Sequence, residues 1–399
     1  MCNVGDDNIE DLENIKYMPV KEKLSRFSKC NKCREQTSSI VLRSKDKYCK
    51  SCFLAGTVHK FKALLGKHKL IRPNEKVMIV HKCGHPSTAL LHFVKTGIEL
   101  ETHKKLRFDP VVLFIEDYLH LSLEERQDLI KKVEKEVGSF KFPMHFTASA
   151  KLITDDGIKD DTLKSRGRDL ELTDSDSSIV HKFLEKQVNN TNKNDFWNIV
   201  MQKFLIKIAK QLECKYIFIP ELSSDVASKL LIDVSLGRGD HISLNTGFCD
   251  SRDDAVKILR PLRLFDAKEL ALYNYLNNLE PVTFRIPLDN PYKSVQQLMK
   301  KFVNDLQVNY PATVTTILKT GDKLTVSNKL RNKCEFCGAP IGKERLELTS
   351  AESTQFSHWV STRPPDTCLT PQERYASVSA SFDNLNSNDY CFGCKMLHK

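Results

Sequence analysis

Several things are missing from this 399-residue sequence. It has no stretch of about 18 or more uncharged apolar residues, so no segment reads as a membrane-spanning helix. Residues 1–16 are acidic rather than basic-then-apolar, which is not the order of a secretory leader. The chain is accordingly expected in the cytoplasm, with no membrane partner. There is no internal repeat, and residues 154–191 have few aromatics among many Asp, Lys, Ser and Asn. Those residues read as an insertion or mobile loop (about 155–193) rather than part of a core. The cysteines number 13. An odd count without a leader argues against a disulfide scaffold and turns attention to metal.

Hydrophobic residues make up 40% and charged residues 28%, a soluble, globular balance. The net charge of +10 suits a polyanion, but an ordinary solvated basic surface explains it equally well.

Most of the cysteines fall into four C-x-x-C pairs. Cys30-Asn-Lys-Cys33 and Cys49-Lys-Ser-Cys52 flank residues 34–48, the spacing of a zinc ribbon, in which a short hairpin brings two pairs to one tetrahedral ion. Redox C-x-x-C chemistry is the weaker alternative. Cys334-Glu-Phe-Cys337 and Cys391-Phe-Gly-Cys394 are separated by the long gap 338–390. Gly338 and Gly393 give them the look of zinc knuckles, and one four-cysteine zinc site closing a long loop is expected. Two unrelated pairs, or a site using Cys368 or a histidine, are the alternatives. Both sites are read as serving architecture and docking of a nucleic acid rather than chemistry.

Between the cysteine modules, periodicity predicts strands alternating with helices. A basic amphipathic helix is expected over 58–70, ended by Pro73, and a strand over 76–80. A helix then opens at Pro86 or Ser87 and runs to Val94. The run FDPVVLFI at 108–115 is a strand buried on both faces. Ser122-Leu-Glu-Glu125 is a capping box for a helix towards Gly138. Further strands are expected at 141–145 and 216–219. Asp195, Ser223 or Ser224, and Asp266 are read as caps of three more helices. Such alternation gives an α/β fold: a parallel sheet with helices on both faces. The expected divisions are a lead (1–28), the ribbon with its helix (29–72), the α/β domain (73–285), and a C-terminal zinc region (286–399).

The order of ribbon, basic helix and strand-loop-helix resembles the PP-loop ATPases that thiolate transfer RNA, and within them the partner subunit whose loop is degenerate. Several segments carry the likeness: Met1-Cys-Asn-Val-Gly5, His59-Lys-Phe-Lys-Ala-Leu-Leu-Gly66, the stretch 220–240 ending Gly237-Arg-Gly-Asp240, Arg260-Pro-Leu-Arg263, and the terminal Cys-Phe-Gly-Cys-Lys. Active members have a Ser-Gly-Gly-x-Asp-Ser loop that cradles ATP pyrophosphate on backbone amides. The matching run here is His81-Lys82-Cys83-Gly84-His85-Pro86-Ser87. Gly84 and Ser87 fit. Lys82, Cys83 and Pro86 depart, and Pro86 removes both an amide and a carboxylate, so ATP is not expected to be used by this chain. His81, Cys83 and His85 as a metal cluster is a weaker reading of the same loop. A second family signature, Gly-His-Asn-x-x-Asp-Asp, is reduced to Pro220-Glu-Leu-Ser-Ser-Asp225. No central C-x-x-C is present. Cys214 and Cys249 stand alone and read as core residues.

The resemblance implies a zinc-bearing, non-catalytic subunit in a heterodimer with the catalytic thiolation subunit. The complex would place sulfur on the wobble uridine (U34) of tRNA Lys, Glu and Gln. That step leads to 5-methoxycarbonylmethyl-2-thiouridine, with sulfur supplied by a ubiquitin-like thiocarboxylate carrier. Lys60, Lys62, Lys67 and Lys69 on the basic helix, and Arg238, Arg260 and Arg263 at expected strand ends, are candidate RNA contacts. For Arg260 a structural bond to a buried carboxylate is the alternative. Two rival readings remain: the chain itself adenylates RNA, or it is a zinc-dependent scaffold that binds no RNA. A DNA binder is a weaker third.

Overall fold

The computed structural model describes residues 28–42, 46–102, 105–154, 157–158, 163–284, 290–324, 332–341, 354, 357–358, 361 and 390–397. The expected lead up to residue 27, the opening Met1-to-Gly5 motif and Cys368 lie outside these residues. The chain divides into two compact units, up to Thr57 and from Val58 onward.

In the first unit, β1 (Ile40–Leu42) pairs antiparallel with β2 (Asp46–Tyr48), the short hairpin expected of a ribbon. The helix α1 (Lys50–His68) follows at once. It begins earlier than the sequence suggested because the second cysteine pair is itself its amino end. Lys67 in its last turn complements the helix dipole.

The second unit is built on a sheet. Its elements run β3 (Glu75–His81), α2 (His85–Ile98), β4 (Phe108–Glu116), α3 (Leu123–Phe140) and β5 (Met144–Ala148). A small ribbon of β6 (Ile153–Thr154) and β7 (Gly157–Ile158) comes next, then α4 (Asp176–Leu184), α5 (Asn190–Gln211), β8 (Tyr216–Phe218), α6 (Ser223–Ser235) and α7 (Ile242–Thr246). β9 (Cys249–Asp250), β10 (Lys257–Leu259), α8 (Ala267–Leu276), α9 (Val295–Asn309) and α10 (Pro311–Gly321) follow. The main sheet has the order β5-β4-β3-β8-β10-β9. Its strands are parallel except β9, an antiparallel edge. Alternating side chains of β3 and β4 go to opposite faces. Met78, Val80, Leu113 and Ile115 pack with Val200, Phe204 and Ile208 of α5. On the other side Phe93 of α2 lies against Phe61 of α1 and Tyr273 of α8, with ring centroids 5.0 and 4.4 Å apart.

The capping box at Ser122 is present: its hydroxyl accepts from Glu125 N, and the Glu125 carboxylate accepts from Ser122 N. Two expectations are corrected. The polar stretch before α5 is not all loop. Within it, α4 seats Asp176 at 0% exposure, where it accepts from Arg126 at 3.0 Å. Arg126 also grips Glu116 with two bonds of 3.0 and 2.6 Å, so this segment is bolted to the end of β4. Asp195 is not a cap. The N-cap of α5 is Asn189, whose side chain accepts from Asn192 N, and Asp195 lies inside the helix.

Two short strands, β11 (Asn332–Lys333) and β12 (Pro340–Ile341), and the helix Phe392–Leu397 carry the last cysteines.

Candidate functional site

The first cysteine set is assembled locally. The turn after Cys30 is closed by Arg34 N donating to Cys30 O and Cys30 N donating to Gln36 O, both at 2.9 Å. This forces Arg34 to a positive φ of 60°. Asn31 N donates to Lys47 O at 2.8 Å, which draws the turn onto the hairpin. Cys49 and Cys52 sit at the amino end of α1, where free N–H groups favour thiolates. Lys32 N points at Cys30 Sγ (3.4 Å), and the Cys33 and Cys49 sulfurs are 3.9 Å apart.

The second set repeats the turn. Gly338 N donates to Cys334 O and Cys334 N donates to Ala339 O, both at 2.8 Å, and Gly338 takes a φ of +69°. Cys391 N donates to Cys334 Sγ at 3.3 Å, and Cys337 and Cys391 Sγ lie 3.6 Å apart. All four cysteines are buried.

In each set the four sulfurs lie within 4.8 Å of one another. A tetrahedral ion with Zn–S of about 2.3 Å requires S···S of about 3.8 Å, so both sets fit an ion held by four thiolates. The two terminal pairs therefore belong to one site rather than to two. His241 supplies no ligand there: its Nε2 is bonded to Pro340 O at 3.1 Å. Among the described residues, only these two sets bring three or more ligand side chains together. Cys83, Cys214 and Cys249 stand singly, and His81 and His85 form no cluster with Cys83.

Arg238, expected as an RNA contact, lies inside the fold. It is 4% exposed and holds Asp195 through Nε and Nη2 at 3.3 and 2.6 Å. Its Nη1 points at Cys394 Sγ (3.4 Å) and Cys391 Sγ (3.8 Å). A Cβ on Gly393 would stand 2.6 Å from the Arg238 side chain, so glycine is what permits this approach. Four thiolates on a divalent ion carry a net charge of −2, and a buried guanidinium offsets part of it. Arg238 is thus an outer partner of the terminal cluster. The Gly-Arg-Gly signal was visible, but its partner lies far along the chain.

At the carboxyl ends of the strands, the degenerate loop is closed on itself. Ser87 Oγ accepts from Lys82 N at 2.9 Å and donates to Lys82 O. Tyr118 Oη accepts from Cys83 N at 3.3 Å. Ser87 N and Thr88 N turn back to Gly84 O. Pro86 has no amide to give. The amides of Lys82, Cys83, Ser87 and Thr88 are thus engaged within the loop or by Tyr118. Burial lifts the Cys83 thiol to about 11, so it is protonated at neutral pH.

The charged groups beside the loop also satisfy one another. Arg260, 1% exposed, donates to Glu221 at 2.7 Å and to the carbonyls of Leu244 and Gly247. Burial alone would raise Glu221, but Lys229, Arg260 and Lys82 outweigh it and hold it at about 2. Burial pushes the Asp225 carboxyl up and the Lys229 ammonium down. Arg263, 5% exposed, binds Asp322 with two bonds of 3.2 and 2.7 Å. Arg238, Arg260 and Arg263 are therefore internal ion-pair partners, and their guanidinium groups are not presented to a phosphate. Lys60 is similarly committed, 2.7 Å from Glu269 and over the Phe265 ring. Lys62 and Lys69 line an open groove, and Lys67 is exposed.

The sequence model of the family "Cytoplasmic tRNA 2-thiolation protein 2" matches residues 294–396. The protein of that name from Aedes aegypti is 33% identical, over 91% of this chain and 88% of its own. The Xenopus laevis protein 2-A is 30% identical over 92% of this chain and 82% of its own. The U34-tRNA thiolase NcsA from Methanococcus maripaludis, solved with its [4Fe-4S] cluster, shares the fold. It superposes with a TM-score of 0.57 over 78% of this chain and 92% of its own, at 16% identity.

Proposed function

This chain belongs to the cytoplasmic tRNA 2-thiolation protein 2 family, and from that premise we propose that it is the non-catalytic subunit of a heterodimer that thiolates the wobble uridine of transfer RNA. In this reading the partner subunit binds ATP, activates the 2-oxygen of U34 as an adenylate, and receives sulfur from a ubiquitin-like thiocarboxylate carrier. This chain helps hold the RNA, and the products are the 2-thiouridines of tRNA Lys, Glu and Gln. The observation that carries the reading is the closed loop. Lys82 N and Cys83 N are bonded to Ser87 and Tyr118, and position 86 is proline. A nucleotide that used the Lys82 and Cys83 amides would first have to break those bonds.

We further propose zinc for both cysteine sets. Cys30, Cys33, Cys49 and Cys52 would hold one ion, and Cys334, Cys337, Cys391 and Cys394 the other. With four protein ligands no position is left for substrate, and the ion contributes folding energy. The described residues add no third set of converging ligands for an iron–sulfur centre of the kind named for NcsA.

The test is reconstitution. Purified catalytic subunit, this chain, transfer RNA, ATP and a thiocarboxylated carrier are combined, and each component is omitted in turn. Thiolation is expected only with both subunits. Thiolation by this chain without its partner would overturn the proposal.

A further inference from the structure

The sheet has a second charged edge, at the amino ends of β3 and β4, opposite the closed loop. An open groove of about 690 Å³ lies there between the end of α1, the segment entering β3 and the segment entering β4. Lys62, Lys69, Arg72, Lys105 and Arg107 line it, and no carboxylate does. Its apolar floor includes Leu65, Phe108 and Phe248. Lys69, Arg72, Lys105 and Arg107 are exposed, and none forms an ion pair among the described residues. The rim is held by backbone: Asn74 N donates to Arg107 O, and Tyr216 Oη donates to Leu70 O, both at 2.7 Å.

The groove continues past Lys69 and Arg72 into a neighbouring depression lined also by Lys210, Lys215 and Lys257. The carboxylates there are already engaged: Glu75 with Lys215 at 3.1 Å, and Glu213 with Lys76 and Asp254 with Lys333 at 2.8 Å each. Lys210 and Lys215 are paired as well, Lys210 with Asp253 at 2.7 Å, so the exposed cations of the two hollows without an ion pair among the described residues are Lys69, Arg72, Lys105 and Arg107 of the groove itself. Such a cluster of exposed cations on a fixed rim suits a phosphodiester backbone, whose charges recur every few ångströms and whose bound counterions are released on contact. The contrast with the carboxyl edge decides the assignment. There, Arg238, Arg260 and Arg263 are buried on carboxylates. Here the guanidinium and ammonium groups face solvent.

We propose that this amino-edge groove is where the chain binds the RNA backbone, through Lys69, Arg72, Lys105 and Arg107. The inference rests on the reading of the chain as an RNA-holding subunit and assigns that role to a surface. The direct test compares the heterodimer containing K69A/R72A/K105A/R107A with one containing K131A/K132A/K135A/K182A, which removes equal charge from exposed positions on α3 and α4. Transfer RNA affinity is measured from 50 to 300 mM salt, with thermal stability and zinc content as folding controls.

The groove variant is expected to lose at least about tenfold in affinity, and its slope of log K against log salt to become shallower by about 3. The control should keep the wild-type slope. Equal losses in both variants, or wild-type binding by the groove variant, would overturn the groove and leave the subunit reading standing. Polyglutamate of matched charge competing as well as RNA would assign the groove to an acidic protein and also overturn it. If the wild-type heterodimer thiolates transfer RNA but binds it no better than the catalytic subunit alone, the RNA-holding reading fails, and the groove with it.

Discussion

The two cysteine sets have the same four ligands and nearly the same turn, yet they depend on the chain differently. The first is closed by a hairpin and the start of one helix, all between Cys30 and Cys52. The second joins residues far apart and adds a charged partner, Arg238, from elsewhere in the domain. The glycine that the left-handed turn favours is present at Gly338 but replaced by Arg34 in the first set. One set is a self-contained staple. The other is a joint between Gly237-Arg238, α5 and the chain's last helix.

The largest expected consequence concerns the ligands themselves. Cys394→Ser should lower the melting temperature of the larger unit by on the order of 10 °C, because several kcal/mol of metal binding energy are folding energy. Cys33→Ser should leave that transition within a degree or two and remove only the first ion. Calorimetry with zinc analysis of each variant checks both, and equal effects would erase the distinction between staple and joint. Next comes Arg238→Leu, which strands the Asp195 carboxylate and should cost about 3–5 kcal/mol. It should also weaken the second ion about 10–100-fold by chelator competition, with no change at the first. Adding Asp195→Asn should recover stability but not metal affinity. Recovery of both would make Arg238 a mere ion-pair partner.

Smaller effects test the turns. Gly338→Ala places a side chain at φ +69° and should cost about 1–2 kcal/mol in denaturant unfolding. The mirror substitution, Arg34→Gly, relieves the same strain and should strengthen the first site by about 1 kcal/mol or less. A Gly338→Ala chain as stable as wild type would show that the two turns are not equivalent.

Much of this was legible from local pattern. The ribbon spacing, the strand-loop-helix around Lys82 to Ser87, and the Ser122 capping box each lie within a few residues, where spacing dictates geometry. The four-cysteine terminal site was legible as a motif. What failed were long-range pairings between charged groups. Asp195 before an apolar run looks like a helix cap, but its carboxylate answers to Arg238. The polar stretch around Asp176 looked unstructured because its core contact is a salt bridge to Arg126. Arg263, read as an RNA contact, is claimed by Asp322, and Arg260 follows its alternative reading, a structural bond to a carboxylate, that of Glu221. Lys105 and Arg107 went unnoticed since their convergence with Lys69 and Arg72 depends on two strands starting side by side. A basic residue's partner is a fact of three dimensions, and charge count alone does not distinguish a buried pair from an open groove.

The central claim is that the nucleotide loop of this chain is closed. It is tested most directly by titrating the isolated, zinc-loaded chain with ATP and magnesium in a calorimeter, beside the catalytic subunit. The account expects no measurable binding by this chain at millimolar ATP and saturable binding by its partner. Saturable, stoichiometric ATP binding here that is lost in Lys82→Ala would contradict it and make this chain a nucleotide-using subunit.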